Sequence, residues 1–229
     1  MKEILKERQK WILEMVVKSY IERGEPIASQ FLVVHCNFGL SPATIRNDFQ
    51  ELAEEGYLYK FHISSGRVPT DKAWKYFVKL VLEEKDLLEQ CEERWKRLLR
   101  QKVQNQNWDQ IIEFLSEASQ SLGFCYLPAT NEVKKSGLKY LFSDVITNPF
   151  LIPQIAESLD KLDEEIKKIK IKTQPLILIG HENPLIASDN FSALLTQSLR
   201  SANVFGILGQ KRMSYEKNIA LLNALREQF

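Results

Sequence analysis

Apolar residues return every three or four positions along much of this chain, and in a few places they run together. The first pattern predicts helices and the second predicts buried strands. Residues 7–23 read as an amphipathic helix with Trp11, Ile12, Met15, Val16, Tyr20 and Ile21 inward. Residues 26–34 read as a short helix and 37–40 as the turn after it. Ile45, Phe49 and Leu52 mark one face of a third helix that Gly56 ends. Two short strands follow at 57–60 and 67–69, with Ser64, Ser65 and Gly66 as turn residues between them. From about 74 to 122 the chain reads as helical, with Leu80, Leu82, Leu87, Leu88, Cys91, Trp95, Leu98 and Leu99 at spacings of three, four and seven; a further helix restarts at Trp108 after the polar QNQN. The remainder is mixed. Strands are predicted at 124–127, 175–180, 192–199 and 204–208, a helix at 153–170 with Ile155, Leu159, Leu162, Ile166 and Ile169 on one face, and a closing helix at 214–227.

The third helix has a readable beginning. Ser41 is suited to cap it, and Pro42 stands where a missing N–H costs nothing. Its first turns carry Ala43, Thr44, Arg46, Asn47 and Gln50, small or polar residues of the kind that meet base edges. Arg pairs in two-toothed fashion with guanine and Asn with adenine. An ordinary surface helix would show the same periodicity, so the flanks decide. Two helices precede it and a hairpin follows. Between positions 60 and 79 the cations Lys60, Arg67, Lys72, Lys75 and Lys79 face one acid, Asp71, for a local charge of +4 on a chain whose net charge is +1. Three helices and a cationic hairpin in this order are the layout of a winged helix-turn-helix. One helix then enters a DNA groove and the wing meets phosphates. The candidate DNA-binding residues are Ser41, Ala43, Thr44, Arg46, Asn47 and Gln50 on the helix, and Lys60, Ser65, Arg67 and Lys72 in and after the wing.

Three stretches, ERQKWILEMVVKSYIERGEPIAS, GLSPATIRNDFQELAEEGYL and SSGRVPTDKAWKYFV, resemble the N-terminal domain of the HrcA-type heat-shock transcription repressors of bacteria. A second resemblance lies at IGHENPL and FGILGQKRMSYEKNIALLNAL, in the same order as in that family. The resemblance implies an α+β protein: a winged helix-turn-helix over 1–82, a helical connector with a dimerising role over 83–122, and a small GAF-like domain over 123–229. It implies a repressor of chaperone genes that binds an inverted-repeat operator as a homodimer, needs no cofactor, loses activity on heating and is maintained by the chaperonin. Family members are longer, with a GAF-like domain and an inserted dimerisation domain in the centre; the stretch between about 121 and 175 is too short here for both. Gln210 and Lys211 stand where the family usually has a proline.

Composition narrows the field further. In 229 residues, 44% are hydrophobic and 27% charged, the balance of a soluble globular protein. The near-neutral total means that any attraction to DNA must come from a patch. No apolar run is long enough to cross a membrane, and the polar N-terminus does not read as a secretory signal. Cys36, Cys91 and Cys125 are scattered and odd in number, as expected of reduced, part-buried thiols in a cytoplasmic protein. His35, His62 and His181 have no ligand-spaced neighbours, so neither a metal nor catalysis is expected. His181 to Pro184 reads as a tight turn, and Asp163-Glu164-Glu165 as a solvated helix face. Two functions stay open: a sequence-specific DNA-binding repressor, and a protein–protein module that keeps the winged shape without operator binding. Arg46, Asn47 and Arg67 favour the first.

Overall fold

A computed structural model describes residues 5–36, 39–60, 66–102, 107–142, 149–171, 175–186 and 188–229. The chain divides into two units, Met1–Leu80 and Val81–Phe229, and the division falls inside a helix.

In the first unit α1 (Glu7–Arg23), α2 (Ser29–Cys36) and α3 (Pro42–Glu54) are followed by β1 (Leu58–Tyr59), β2 (Val68–Pro69) and α4 (Asp71–Glu83). The helices bury Ile12, Leu13, Val16 and Val17 of α1, Leu32 of α2, and Ile45, Phe49 and Leu52 of α3. The inward face of α1 is thus rotated from the one predicted. Trp11 is exposed, and Met15, Tyr20 and Ile21 are half-buried, because Leu13 and Val17 take the central positions. The second helix starts at Ser29 and not at Pro26, because Ile27 is drawn into a bridge with Arg67, N–H to carbonyl in both directions at 2.9 and 2.8 Å. The same approach dictates Gly66. A β-carbon there would overlap the Ile27 carbonyl, so the residue expected only to turn the wing also lets its second strand pass. The two wing strands pair antiparallel, Leu58 with Pro69 and Tyr59 with Val68. Thr70 closes the hairpin base: its hydroxyl donates to the Gly56 carbonyl at 2.7 Å and accepts the Ala73 N–H that opens α4. Ser64 and Ser65, His62 and the Asn37-Phe38 turn lie outside the described residues.

The second unit is an α+β layer structure. Helices α5 (Lys85–Lys102) and α6 (Trp108–Ser119) lead to β3 (Leu122–Leu127), β4 (Glu132–Ser136), the single turn α7 (Leu138–Leu141) and α8 (Leu151–Lys168). Strands β5 (Leu176–Ile179), β6 (Phe191–Gln197) and β7 (Val204–Gln210) and the closing α9 (Tyr215–Gln228) complete it. The five strands form one antiparallel sheet in the order β4-β3-β7-β6-β5. Ile155, Leu162 and Ile166 of α8 join Leu122, Phe124, Phe191, Ala193, Leu195 and Leu208 in one core. Within it the Phe124 ring packs against Gly206, where a β-carbon would overlap the outer ring atoms. α6 and α9 pack on the sheet, and α5 packs on α9. The region read as a connector from 83 to 122 is therefore part of this unit; Leu88 and Leu99 are buried in it, and Leu122 already belongs to a strand. Strand β4 was not expected. The 3-10 turn Gly180–Glu182 bears out the turn read at His181. The three cysteines are free, and burial pushes the Cys125 thiol up to about 12, which leaves it protonated and unreactive at neutral pH. No described helix is long and apolar enough to cross a membrane.

Lys96 ties α5 to α9. Its ammonium meets Glu92 at 2.7 Å, Glu93 at 3.0 Å and Glu227 of α9 at 2.7 Å. Burial opposes its charge, but the three carboxylates outweigh burial and hold its pKa above the ordinary lysine value. The Lys96 hydrogen bond in turn holds Glu227 below the usual carboxylate range. A depressed carboxylate stabilises the fold above its unfolded pKa and loses that contribution as pH falls through its folded pKa; a raised lysine contributes until pH climbs past its ordinary value. Glu227→Gln should therefore cost about 0.5 kcal/mol at neutral pH, small because Glu227 is half exposed. Urea unfolding at neutral pH and at about pH 3 checks this: the gap to the parent should close in acid.

Candidate nucleic-acid interface

The start of α3 is built as its sequence predicts. Ser41 has extended backbone, and its hydroxyl accepts the Thr44 N–H at 3.1 Å, with Pro42 at the first helical position. Residues at spacings of three, four and seven share one side of a helix. Ile45, Asp48, Phe49 and Leu52 form the buried side, and Ala43, Arg46, Asn47 and Gln50 form an exposed stripe opposite. Of the candidate residues, these four are brought together. Ser41 and Thr44 hold the helix end, their hydroxyls 3.0 Å apart.

Asp48 decides how the stripe is turned. It is a carboxylate only 1% exposed, in the apolar face of α3. Arg8 of α1 meets it with two parallel bonds, Nε to Oδ2 at 2.9 Å and Nη2 to Oδ1 at 3.0 Å. The pairing raises the Arg8 pKa above its ordinary value, the hydrogen bond first and the charge second. One turn on, Glu51 accepts from Lys6 at 2.9 Å and from Gln9 at 2.7 Å, and the Lys6 bond holds its carboxyl below the usual range. Two acids of α3 are thus neutralised from behind by α1, and the outward face keeps Arg46. Arg8, Lys6 and Gln9 were not anticipated, because nothing local in the sequence links positions forty apart.

The wing is less uniformly an outward cationic arm than its composition implies. Lys60 is exposed at the end of β1. Arg67 is half-buried, with its guanidinium over the Phe49 ring at 5.9 Å and its Nε buried without an acceptor. Lys72 lies at the far end of α3, donating to the Glu55 carbonyl at 2.8 Å with its ammonium over Tyr57 at 4.2 Å. It neutralises the negative end of that helix. Ser65 lies outside the described residues. Among the described residues no group of His, Cys, Asp and Glu could hold a metal.

Residues 30–66 match the DeoR-like helix-turn-helix domain, and residues 75–219 match the HrcA protein C terminal domain. The chain belongs to the HrcA family. It is 36% identical over 136 residues to the heat-inducible transcription repressor HrcA of Thermodesulfovibrio yellowstonii, an alignment covering 56% of this chain and 39% of that protein. With the HrcA of Lachnoclostridium phytofermentans it shares 28% identity over 179 residues, 73% of this chain and 51% of the relative. This HrcA-family chain thus spans about half the length, or less, of these relatives. A crystal structure described as a hypothetical protein at 2.2 Å resolution matches with a TM-score of 0.72, at 16% identity, over 97% of this chain and 96% of its own, which supports the fold.

The Arg8–Asp48 fork gives a test of how α3 is held. Arg8→Met leaves a carboxylate buried without its partner and should lower the unfolding midpoint by several degrees. Arg8→Met combined with Asp48→Leu removes the stranded charge and should recover most of the loss. Calorimetry of the three proteins measures both steps.

Proposed function

We propose that this protein is a DNA-binding transcription repressor of heat-inducible genes and no enzyme. Its HrcA relatives are named heat-inducible transcription repressors; in this reading the chain recognises an inverted-repeat operator as a homodimer, in the cytoplasm. The observation that carries the reading is the exposed stripe Ala43, Arg46, Asn47 and Gln50, turned outward on a helix whose Asp48 and Glu51 are met from behind, while Gln50 donates to the exposed Glu54 at 3.0 Å. Its amino-terminal end is small and polar, the form that approaches base edges in the major groove. Lys60, and Ser65 five positions further along the sequence, would meet the flanking backbone. Arg67 and Lys72 work mainly within the fold, with Arg67 anchoring the wing over Phe49.

One such helix reads one half-site, and two are needed for useful discrimination against genomic DNA. The helices between about 80 and 122, together with the sheet domain, are the proposed joining surface. Leu82 and Leu87 there are exposed apolar residues. Support by a chaperonin belongs to the same reading.

The test uses an inverted-repeat duplex selected by the protein from a random pool. Arg46→Ala and Asn47→Ala should each weaken the selected duplex by about 1–3 kcal/mol and random DNA by less. Lys60→Ala should weaken both alike and lower the salt slope by about one. Gel shifts at two salt concentrations measure this. A protein that selects nothing from the pool would favour the interaction-module alternative.

Sedimentation at micromolar concentration should give twice the chain mass. A monomer that binds the repeat one-to-one would exclude the dimer.

A further inference from the structure

The outward stripe of α3 does not end at Gln50. Helix positions three and four apart share a side, so Glu54 continues the line of Ala43, Asn47 and Gln50, and it too is exposed. A carboxylate is out of keeping on a surface that is to meet phosphates, which repel it. The two other acids of the helix, Asp48 and Glu51, are met by Arg8 and Lys6 of α1. Glu54 is bonded instead by a residue of the stripe: Gln50 Nε2 donates to Glu54 Oε1 at 3.0 Å.

That bond has a direction. An ionised carboxylate only accepts, so the amide nitrogen is the end of Gln50 that faces Glu54, and the amide oxygen is the end left for whatever approaches the stripe. A glutamine without such a partner can turn either end outward. The distinction matters in the major groove, where adenine and cytosine present an amino donor and guanine and thymine a carbonyl acceptor. An outward oxygen bonds the first pair and meets the second with like polarity. Arg46 is held in a similar manner, its Nε donating to the Pro42 carbonyl one turn back at 3.2 Å, so two of the four stripe residues are oriented by bonds inside the helix. A pair spaced like Gln50 and Glu54 also steadies a helix, but that contribution is blind to DNA sequence.

We propose that Glu54 is a positioning residue that sets the base preference of Gln50. By holding the amide nitrogen it makes Gln50 an acceptor, and one position of each half-site is read as an amino base, adenine or cytosine, on the strand facing α3. The proposal rests on the repressor reading above. Glu54 itself touches no DNA in this scheme: its charge weakens binding to every sequence, and its hydrogen bond makes the remaining binding selective.

The full-length parent, Glu54→Ala, Gln50→Ala and the double variant Gln50→Glu with Glu54→Ala are compared by fluorescence anisotropy on the duplex selected by the parent, each base pair of the half-site being replaced in turn. At one position the parent should favour an amino base over a keto base by about tenfold. Gln50→Ala should remove that preference and so locate the position. Glu54→Ala should bind every duplex more tightly, having lost a negative charge, while the preference at the same position falls to about twofold. The double variant keeps the charge of the parent and puts only acceptors at position 50, so it should regain the preference. An unchanged preference in Glu54→Ala, a change at a position that Gln50→Ala leaves alone, or a double variant that regains nothing overturns the proposal while the repressor reading stands. A parent that selects no duplex defeats the repressor reading, and this proposal with it.

Discussion

The pairing of Arg8 with Asp48 fixes how α3 is turned against α1 in the first unit. A carboxylate on the inner side of a helix is tolerable only when its charge is met and its lone pairs are occupied. The two-toothed guanidinium from α1 does both. Since only one rotation of α3 brings Asp48 under Arg8, the pairing fixes which residues face out. Apolar contacts alone would allow some slippage, because Ile45, Phe49 and Leu52 could settle against α1 over a range of angles. An ion pair with two directed bonds tolerates much less. The exposed stripe is thus set indirectly, by a residue on the opposite side of the helix.

Much of this was legible in the sequence where the signals are local. Ser41 and Pro42 define where α3 begins, and the three-four spacing of its apolar residues defines which side is inward; both readings hold in the structure. The helix over 7–23, the sheet strands other than β4 and the closing helix were also within reach, because each combines a periodic face or an apolar run with clear ends. The misses share a cause. The start of α2 is moved by Ile27 bonding to Arg67, a partner forty residues away. Strand β4, EVKKS, has one apolar residue and no alternation to detect; its place is made by pairing with β3 and by ion pairs of Lys134 with Asp109 and Lys135 with Asp163. Charged residues on an edge strand also discourage pairing with another chain.

The wing shows the same limit at the level of single side chains. Five cations against one acid read as a phosphate-facing arm, yet two of the five have duties inside the fold. Arg67 covers an aromatic ring of α3, and Lys72 closes the negative end of that helix. A charge count cannot separate a cation that faces solvent from one that caps a helix, since both have the same composition. Among the described residues that leaves Lys60 as the exposed cation of the hairpin.

Two enclosed polar side chains, one in each unit, are met differently. In the first, the enclosed acid Asp48 is met by two directed bonds, and Glu51 one turn on by two more, so α3 is held in one rotation. In the second, Lys96 is just as well satisfied at the surface of α5, but Asn218 of α9 keeps a buried amide with nothing to bond among the described residues. Rigidity suits a surface that presents four side chains at fixed spacing. The stability of a sheet domain is a small difference between large terms, so one unsatisfied residue can shift the temperature at which that difference vanishes.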